Sequence, residues 1–216
     1  MLFSDPLPSR TASRFDPPSP ASGRGDKESG LFFCHAQKYC SLMSEITIRA
    51  ATAADLPAIT AIYEEAVLHG TATFEIDPPD LAEMTRRFQA LASGGFPYFV
   101  ATDGEQVLGY AYAGPHRPRV AYRFTVEDSI YLAPAAQRRG VGGKLLAALI
   151  EACESKGFRQ MVAVIGDSAN AGSVAVHRNA GFQMIGTHPN VGFKFGRWLD
   201  TISMQRVLGA GGATLP

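Results

Sequence analysis

Glycine occupies three of four consecutive positions, Gly140, Gly142 and Gly143, inside the run Gln137-Arg138-Arg139-Gly140-Val141-Gly142-Gly143-Lys144. Such a stretch lets the backbone turn sharply and aim successive N–H groups at one point, and a helix starting there adds the positive end of its dipole. With Arg138, Arg139 and Lys144 supplying charge, the chemistry this suits is the holding of a phosphate or pyrophosphate. Two familiar nucleotide motifs do not fit. A P-loop requires Ser or Thr after its Gly-Lys pair, and Gly143-Lys144 is followed by Leu145. A dinucleotide fingerprint requires a third glycine where Leu145 stands.

Further polar groups recur at chemically meaningful spacing. Asn170, Ser173 and His177 are three and four apart, so a helix places them on one side. The same pattern also fits an N-capping Asn on an ordinary solvated face. Glu127 follows a loop containing Arg117, Arg119 and Arg123; a carboxylate beside aromatic residues suits proton abstraction, and a guanidinium fork suits a bound carboxylate. Asp128 alternates to the other face of the same strand and reads as structural.

Elements that position these groups follow from periodicity. Ile46 and Ile48 alternate in a first strand; Thr52 and Asp55 open a helix whose apolar positions are Leu56, Ile59, Ile62, Tyr63 and Ala66. A second helix is expected from Asp80 to Leu91, behind Pro78 and Pro79. Tyr98 to Thr102 and Gln106 to Ala113 flank Asp103-Gly104 and read as an antiparallel hairpin. A strand over Val126 to Leu132 enters the glycine-rich turn. The helix from Gly142 to Lys156 then buries Leu145, Leu146, Leu149, Ile150 and Cys153 and stops at Gly157. Met161 to Ile165 reads as a strand buried on both faces, Asn170 to Asn179 as a helix, and Phe182 to Thr187 and Leu199 to Val207 as closing strands. The sum is one mixed α/β domain.

The chain has 216 residues, with Lys plus Arg and Asp plus Glu both at 20. That balance provides no long-range field for nucleic acid or an anionic membrane, so any anion is held locally. No apolar run approaches a membrane span and no signal-peptide pattern opens the chain, which reads as cytoplasmic. Cys34, His35 and Cys40 lack a second ligand pair, so no metal is expected. Residues 1–43, with five prolines in the first 20 positions, have the composition of a disordered extension; residues 44–208 form the domain and 209–216 a flexible tail.

Gln-x-x-Gly-x-Gly at 137–142, followed by Asn170, Ser173, His177 and Gly181-Phe182, resembles the GCN5-related N-acetyltransferase (GNAT) superfamily over about Ile46 to Arg206. Within it, Gly109 to Gly114, Thr125 to Tyr131, Val162 to Ile165 and Gly192 to Asp200 are similar to the branch of phosphinothricin and methionine sulfoximine N-acetyltransferases.

The resemblance implies the GNAT fold, α/β of the α+β type: a mixed central sheet of about six to seven strands flanked by helices, with a splayed strand pair holding acetyl-CoA. Ile130, Tyr131 and Leu132 would hold the pantetheine arm through their backbone, and Gln137 to Lys144 would hold the pyrophosphate, with Asn170 and Ser173 also at the cofactor. Glu127 becomes the general base and His177 a second catalytic candidate, either protonating the thiolate or positioning the reactants. Phe74, Arg117, Arg123 and Lys194 are the substrate-binding candidates, for a small L-amino acid analogue with a second anionic or strongly polar group. A homodimer is usual in the branch, and Trp198 with its neighbours suits an interface, where large aromatics are favoured. Phe195 departs from the His that herbicide-inactivating members often carry in Lys-His-Gly. Acetylation of another amine such as a protein N-terminus, or acyl-CoA binding without catalysis, would use the same pyrophosphate turn.

Overall fold

The computed structural model describes residues 45–216; the expectations for residues 1–43, Cys34, His35 and Cys40 among them, lie outside the described residues. In chain order the elements are β1 (Thr47–Ala50), α1 (Leu56–His69), α2 (Leu81–Ser93), β2 (Tyr98–Asp103), β3 (Gln106–Pro115), β4 (Thr125–Leu132), α3 (Val141–Ser155), β5 (Gln160–Gly166), α4 (Ala171–Asn179), β6 (Gln183–Lys194) and β7 (Arg197–Val207). The seven strands form a single sheet in the order β1-β2-β3-β4-β5-β7-β6. Only β4 and β5 pair in parallel, as their connection through a helix demands; every other pair is antiparallel.

Local chemistry accounts for the helix starts. Asp55 accepts from the Thr52 N–H at 2.8 Å while a bidentate contact with Arg49 holds its carboxyl at about 2, and Asp80 caps α2 by accepting from the Glu83 N–H. Alternation along β4 sends its side chains to opposite sides of the sheet. Val126, Ile130 and Leu132 join α3 in one core, with Leu145, Leu146, Leu149 and Cys153 fully buried. Burial drives the Cys153 thiol up to about 12, so this residue is core and not a nucleophile. On the other side, α1 and α2 cover Tyr98, Val100, Tyr110 and Tyr131.

Two segments differ from the sequence expectation. Val164 is exposed although β5 reads as wholly buried, because its face opens onto a cleft beside β4. The strand expected to end at Thr187 continues to Lys194 through an irregularity between His188 and Gly192, where Asn190 adopts positive φ and its N–H donates to Asp200 Oδ1 at 2.9 Å. Pro189-Asn190 in sequence signals a turn; Asp200 on the neighbouring strand keeps the ladder going. At the C-terminal end the Leu208 N–H donates to the Arg159 carbonyl, and the Arg159 guanidinium donates to Thr214 and to the Leu215 carbonyl. No helix among the described residues is long and apolar enough to cross a membrane.

Candidate active site

The site is built on a sheet that opens. β4 stays paired with β3 as far as Leu132, but its parallel pairing with β5 runs only from Thr125↔Gln160 to Asp128↔Ala163. Beyond that point the strands splay, and Ser129 to Tyr131 face Val164 to Gly166 across a cleft that Asn170, Ser173 and His177 also line. The edge of β4 that β5 would otherwise occupy, including Ile130, Tyr131 and Leu132, therefore keeps main-chain donors and acceptors for a bound molecule.

A phosphate cradle follows β4. Arg138 and Gly140 both adopt positive φ, 59° and 77°, reversing the chain so that Gly140 caps α3. The Lys144 N–H makes the return bond to the Gly140 carbonyl at 3.2 Å, so the N–H groups of Val141, Gly142 and Gly143 precede the first intrahelical acceptor. Gly143 is exposed and a Cβ there would meet nothing within 4 Å; Gly142 is buried, with Leu132 and Val176 side chains at 3.5 and 3.8 Å from such an atom. Gln137, Arg138 and Lys144 are exposed, whereas Arg139 is engaged by Asp103 at 2.9 Å. These residues fit a pyrophosphate: donors converge on an exposed turn, with cationic side chains beside it.

Glu127 lies on the face of β4 that carries Ser129 and Tyr131, half-buried, and its Oε2 is 3.0 Å from His116 Nδ1. Tyr112 pairs across the ladder with Ser129, and Tyr98, Tyr110, Tyr112 and Tyr131 stack on this side of the sheet with centroid separations of 5.1 to 6.4 Å. Burial pushes all four phenols up, Tyr110 and Tyr131 strongly, which keeps them neutral donors.

Asp128 and His177 meet on the opposite face, 2.9 Å apart and almost fully buried. The His177 Nδ1–H donates to the Ser173 carbonyl at 2.8 Å, so Nε2 is the nitrogen that faces the carboxylate. Burial opposes the imidazolium, but the hydrogen bond and charge of Asp128 outweigh it and His177 is raised above the ordinary histidine value. Of the two roles left open by sequence, protonating a thiolate requires His177 to give up a hydrogen bond, whereas positioning α4 requires no change. Asn170 caps α4 through the Ser173 N–H at 3.2 Å, so Asn170 and Ser173 serve the helix as well as the cleft.

The substrate candidates separate. Phe74 reaches the cleft region by packing across β5 and β6: a Cβ on Gly192 would lie 2.2 Å from its ring, and one on Gly166 would lie 2.3 Å from the Thr71 carbonyl oxygen. Lys194, a substrate-binding candidate by resemblance, fastens the fold in this structure. It is buried, and Nζ donates to the carbonyls of Gly70 and Thr73 at 2.9 and 3.0 Å, which holds the segment bearing Phe74. Arg117 and Arg123 are exposed and line a separate cavity with Phe96, Val120 and Tyr122, without Glu127. The Gly192 to Asp200 motif is thus largely a clamp, since Arg197 pairs with Asp167 at 2.5 Å and Asp200 accepts from Ser168 at 2.9 Å. His116, Ser129 and Thr73, which accompanies Tyr63 at 3.0 Å, were not legible as site residues. For His116 the usable signal is the β3–β4 register, Gly114↔Glu127, which carries the next turn of chain back over Glu127.

Residues 48–203 match the family model described as the acetyltransferase (GNAT) domain, and the chain belongs to that family. It is an acetyl-CoA-dependent N-acetyltransferase. Among characterised relatives it is 52% identical over 170 residues to the phosphinothricin N-acetyltransferase of Alcaligenes faecalis, covering 79% of this chain and 86% of that one. It is 46% identical over 160 residues to the L-methionine sulfoximine/L-methionine sulfone acetyltransferase of Pseudomonas aeruginosa, covering 74% and 92%. A crystal structure of a GNAT phosphinothricin acetyltransferase from Sinorhizobium meliloti, in complex with acetyl-CoA, superposes with a TM-score of 0.78 at 52% identity, covering 81% and 94%.

Proposed function

We propose that the protein acetylates the α-amino group of a small L-amino acid analogue of the phosphinothricin, methionine sulfoximine or methionine sulfone type. The observation that carries the reading is the half-buried carboxylate of Glu127 on β4, at the end of the parallel pairing beyond which the strand leaves β5. Acetyl-CoA, when bound, supplies an acetyl group activated as a thioester.

The chain supplies the rest. An amino acid arrives as an ammonium; Glu127 removes one proton so that the nitrogen can attack the thioester carbon, the C–S bond then breaks, and the second proton lost by the nitrogen ends on the departing thiolate as the free thiol. Backbone N–H groups at the open edge of β4, from Ile130 to Leu132, steady the carbonyl oxygen as charge develops there. The turn from Gln137 to Lys144 holds the pyrophosphate, and Asn170 and Ser173 border the pantetheine channel. His177 acts by positioning, through its pair with Asp128. Arg117 and Arg123 line their own cavity, on the loop that carries His116 to Glu127, and through that shared loop they are assigned to the second acidic group of the substrate. The enzyme works as a cytoplasmic homodimer without nucleic acid, membrane or metal partners.

Thiol release from acetyl-CoA measures the reaction. Release is expected with at least one of phosphinothricin, methionine sulfoximine and methionine sulfone, and Glu127→Gln should lower kcat about a hundred- to ten-thousandfold at neutral pH, less as pH nears the amine's own pKa. Release with other amines and none of these three would overturn the substrate class.

A further inference from the structure

His116 stands behind Glu127 in a position that the family motifs do not single out. Its backbone N–H donates to the Thr125 carbonyl at 3.4 Å, extending the β3–β4 ladder one step past Pro115↔Val126. Its ring sits edge-on to Tyr122 at 5.9 Å and its side chain is 16% exposed, against 38% for Glu127. Both ends of the residue are therefore held, and Nδ1 lies 3.0 Å from Glu127 Oε2. Charged and titratable groups around the pair are Arg117, Arg119 and Arg123 on the same loop, Tyr122 against the ring, and Tyr112 on β3 with Glu75 and Arg87 beyond it. We propose that His116 is a positioning residue for the base: by donating Nδ1–H to Oε2 it fixes the Glu127 carboxylate and leaves Oε1 as the oxygen that receives the substrate proton. This rests on Glu127 being the base. A mobile carboxylate at a strand edge would sample several rotamers, of which few are productive.

The test compares kcat and KM for the wild type, His116→Phe and His116→Asn. Phe keeps the aromatic contact with Tyr122 and removes the donor, so the Glu127 carboxylate is no longer held in one rotamer. The kcat of His116→Phe should fall about tenfold, with the KM values for acetyl-CoA and for the amine unchanged. Asn, whose amide nitrogen can stand in for Nδ1, should restore most of the rate. A His116→Phe kcat equal to the wild type, a loss that appears in KM alone, or an Asn variant as impaired as Phe, overturns the proposal. If His116→Phe does not fold, His116→Ala assayed with added imidazole decides: recovery of kcat supports the positioning role and its absence overturns it. Glu127→Gln separates the two levels. Full activity in that variant removes the base itself, whereas an inactive Glu127→Gln beside an unaltered His116→Phe removes only the role of His116.

Discussion

Asp128 and His177 place an ion pair inside the sheet, where each charge is tolerated only because of the other. Removing one partner leaves the other buried and uncompensated, so His177→Ala should destabilise the fold by about 3–5 kcal/mol and would confuse any reading of its kinetics. His177→Gln keeps a donor near Nε2 and is the better probe. Because His177 is raised in the folded protein, its stabilising contribution is complete below the unfolded value of about 6.5 and is lost as pH rises through the folded value. The wild-type urea midpoint, taken relative to that of His177→Gln, should therefore fall between pH 6 and pH 9; a constant difference across that range would show that the pair carries no linked proton.

At the scale of elements, α3 is the helix proposed above to meet the cofactor, and its first turn distinguishes two glycines that look alike in sequence. An acidic side chain at the buried Gly142 would press a carboxylate against Leu132 and Val176, so loss of acetyl-CoA binding there would mix misfolding with repulsion. Gly143 has open space around it. Gly143→Asp should leave the thermal midpoint nearly unchanged, since an acidic residue suits a helix N-terminus, while weakening acetyl-CoA about tenfold through a like charge near the pyrophosphate. Isothermal titration with CoA checks it, and an unaltered dissociation constant would remove the pyrophosphate from this turn.

For the molecule as a whole, the β6–β7 hairpin is the conspicuous surface. Ile185, Val191, Phe193, Phe195 and Trp198 are each more than half exposed, and Phe193 packs only edge-on against Trp198 at 5.3 Å. Apolar groups gathered on one hairpin suit burial against a second copy of the chain. Trp198→Arg is expected to convert the homodimer proposed above to monomer in light scattering at micromolar concentration. A wild type that is monomeric under the same conditions would overturn the assembly.

The sequence alone determined what local chemistry can determine. Glycine spacing marked the turn at Gly140, the apolar faces of α1 and α3 followed from helical periodicity, and Asp103-Gly104 located a hairpin that forms as expected. Gln-x-x-Gly-x-Gly with the Asn170 to Phe182 pattern was enough for the family. What the tertiary structure decided depends on which strands meet and where they part. Pairing of Asp128 with His177, 49 residues apart, and of Lys194 with the carbonyls of Gly70 and Thr73 requires the assembled sheet, and no spacing rule reaches that far. The same is true of His116, which meets Glu127 only because the antiparallel register brings the end of β3 beside the start of β4. Side-chain type specifies what a residue can do; the register of non-local strands specifies which partner it does it with.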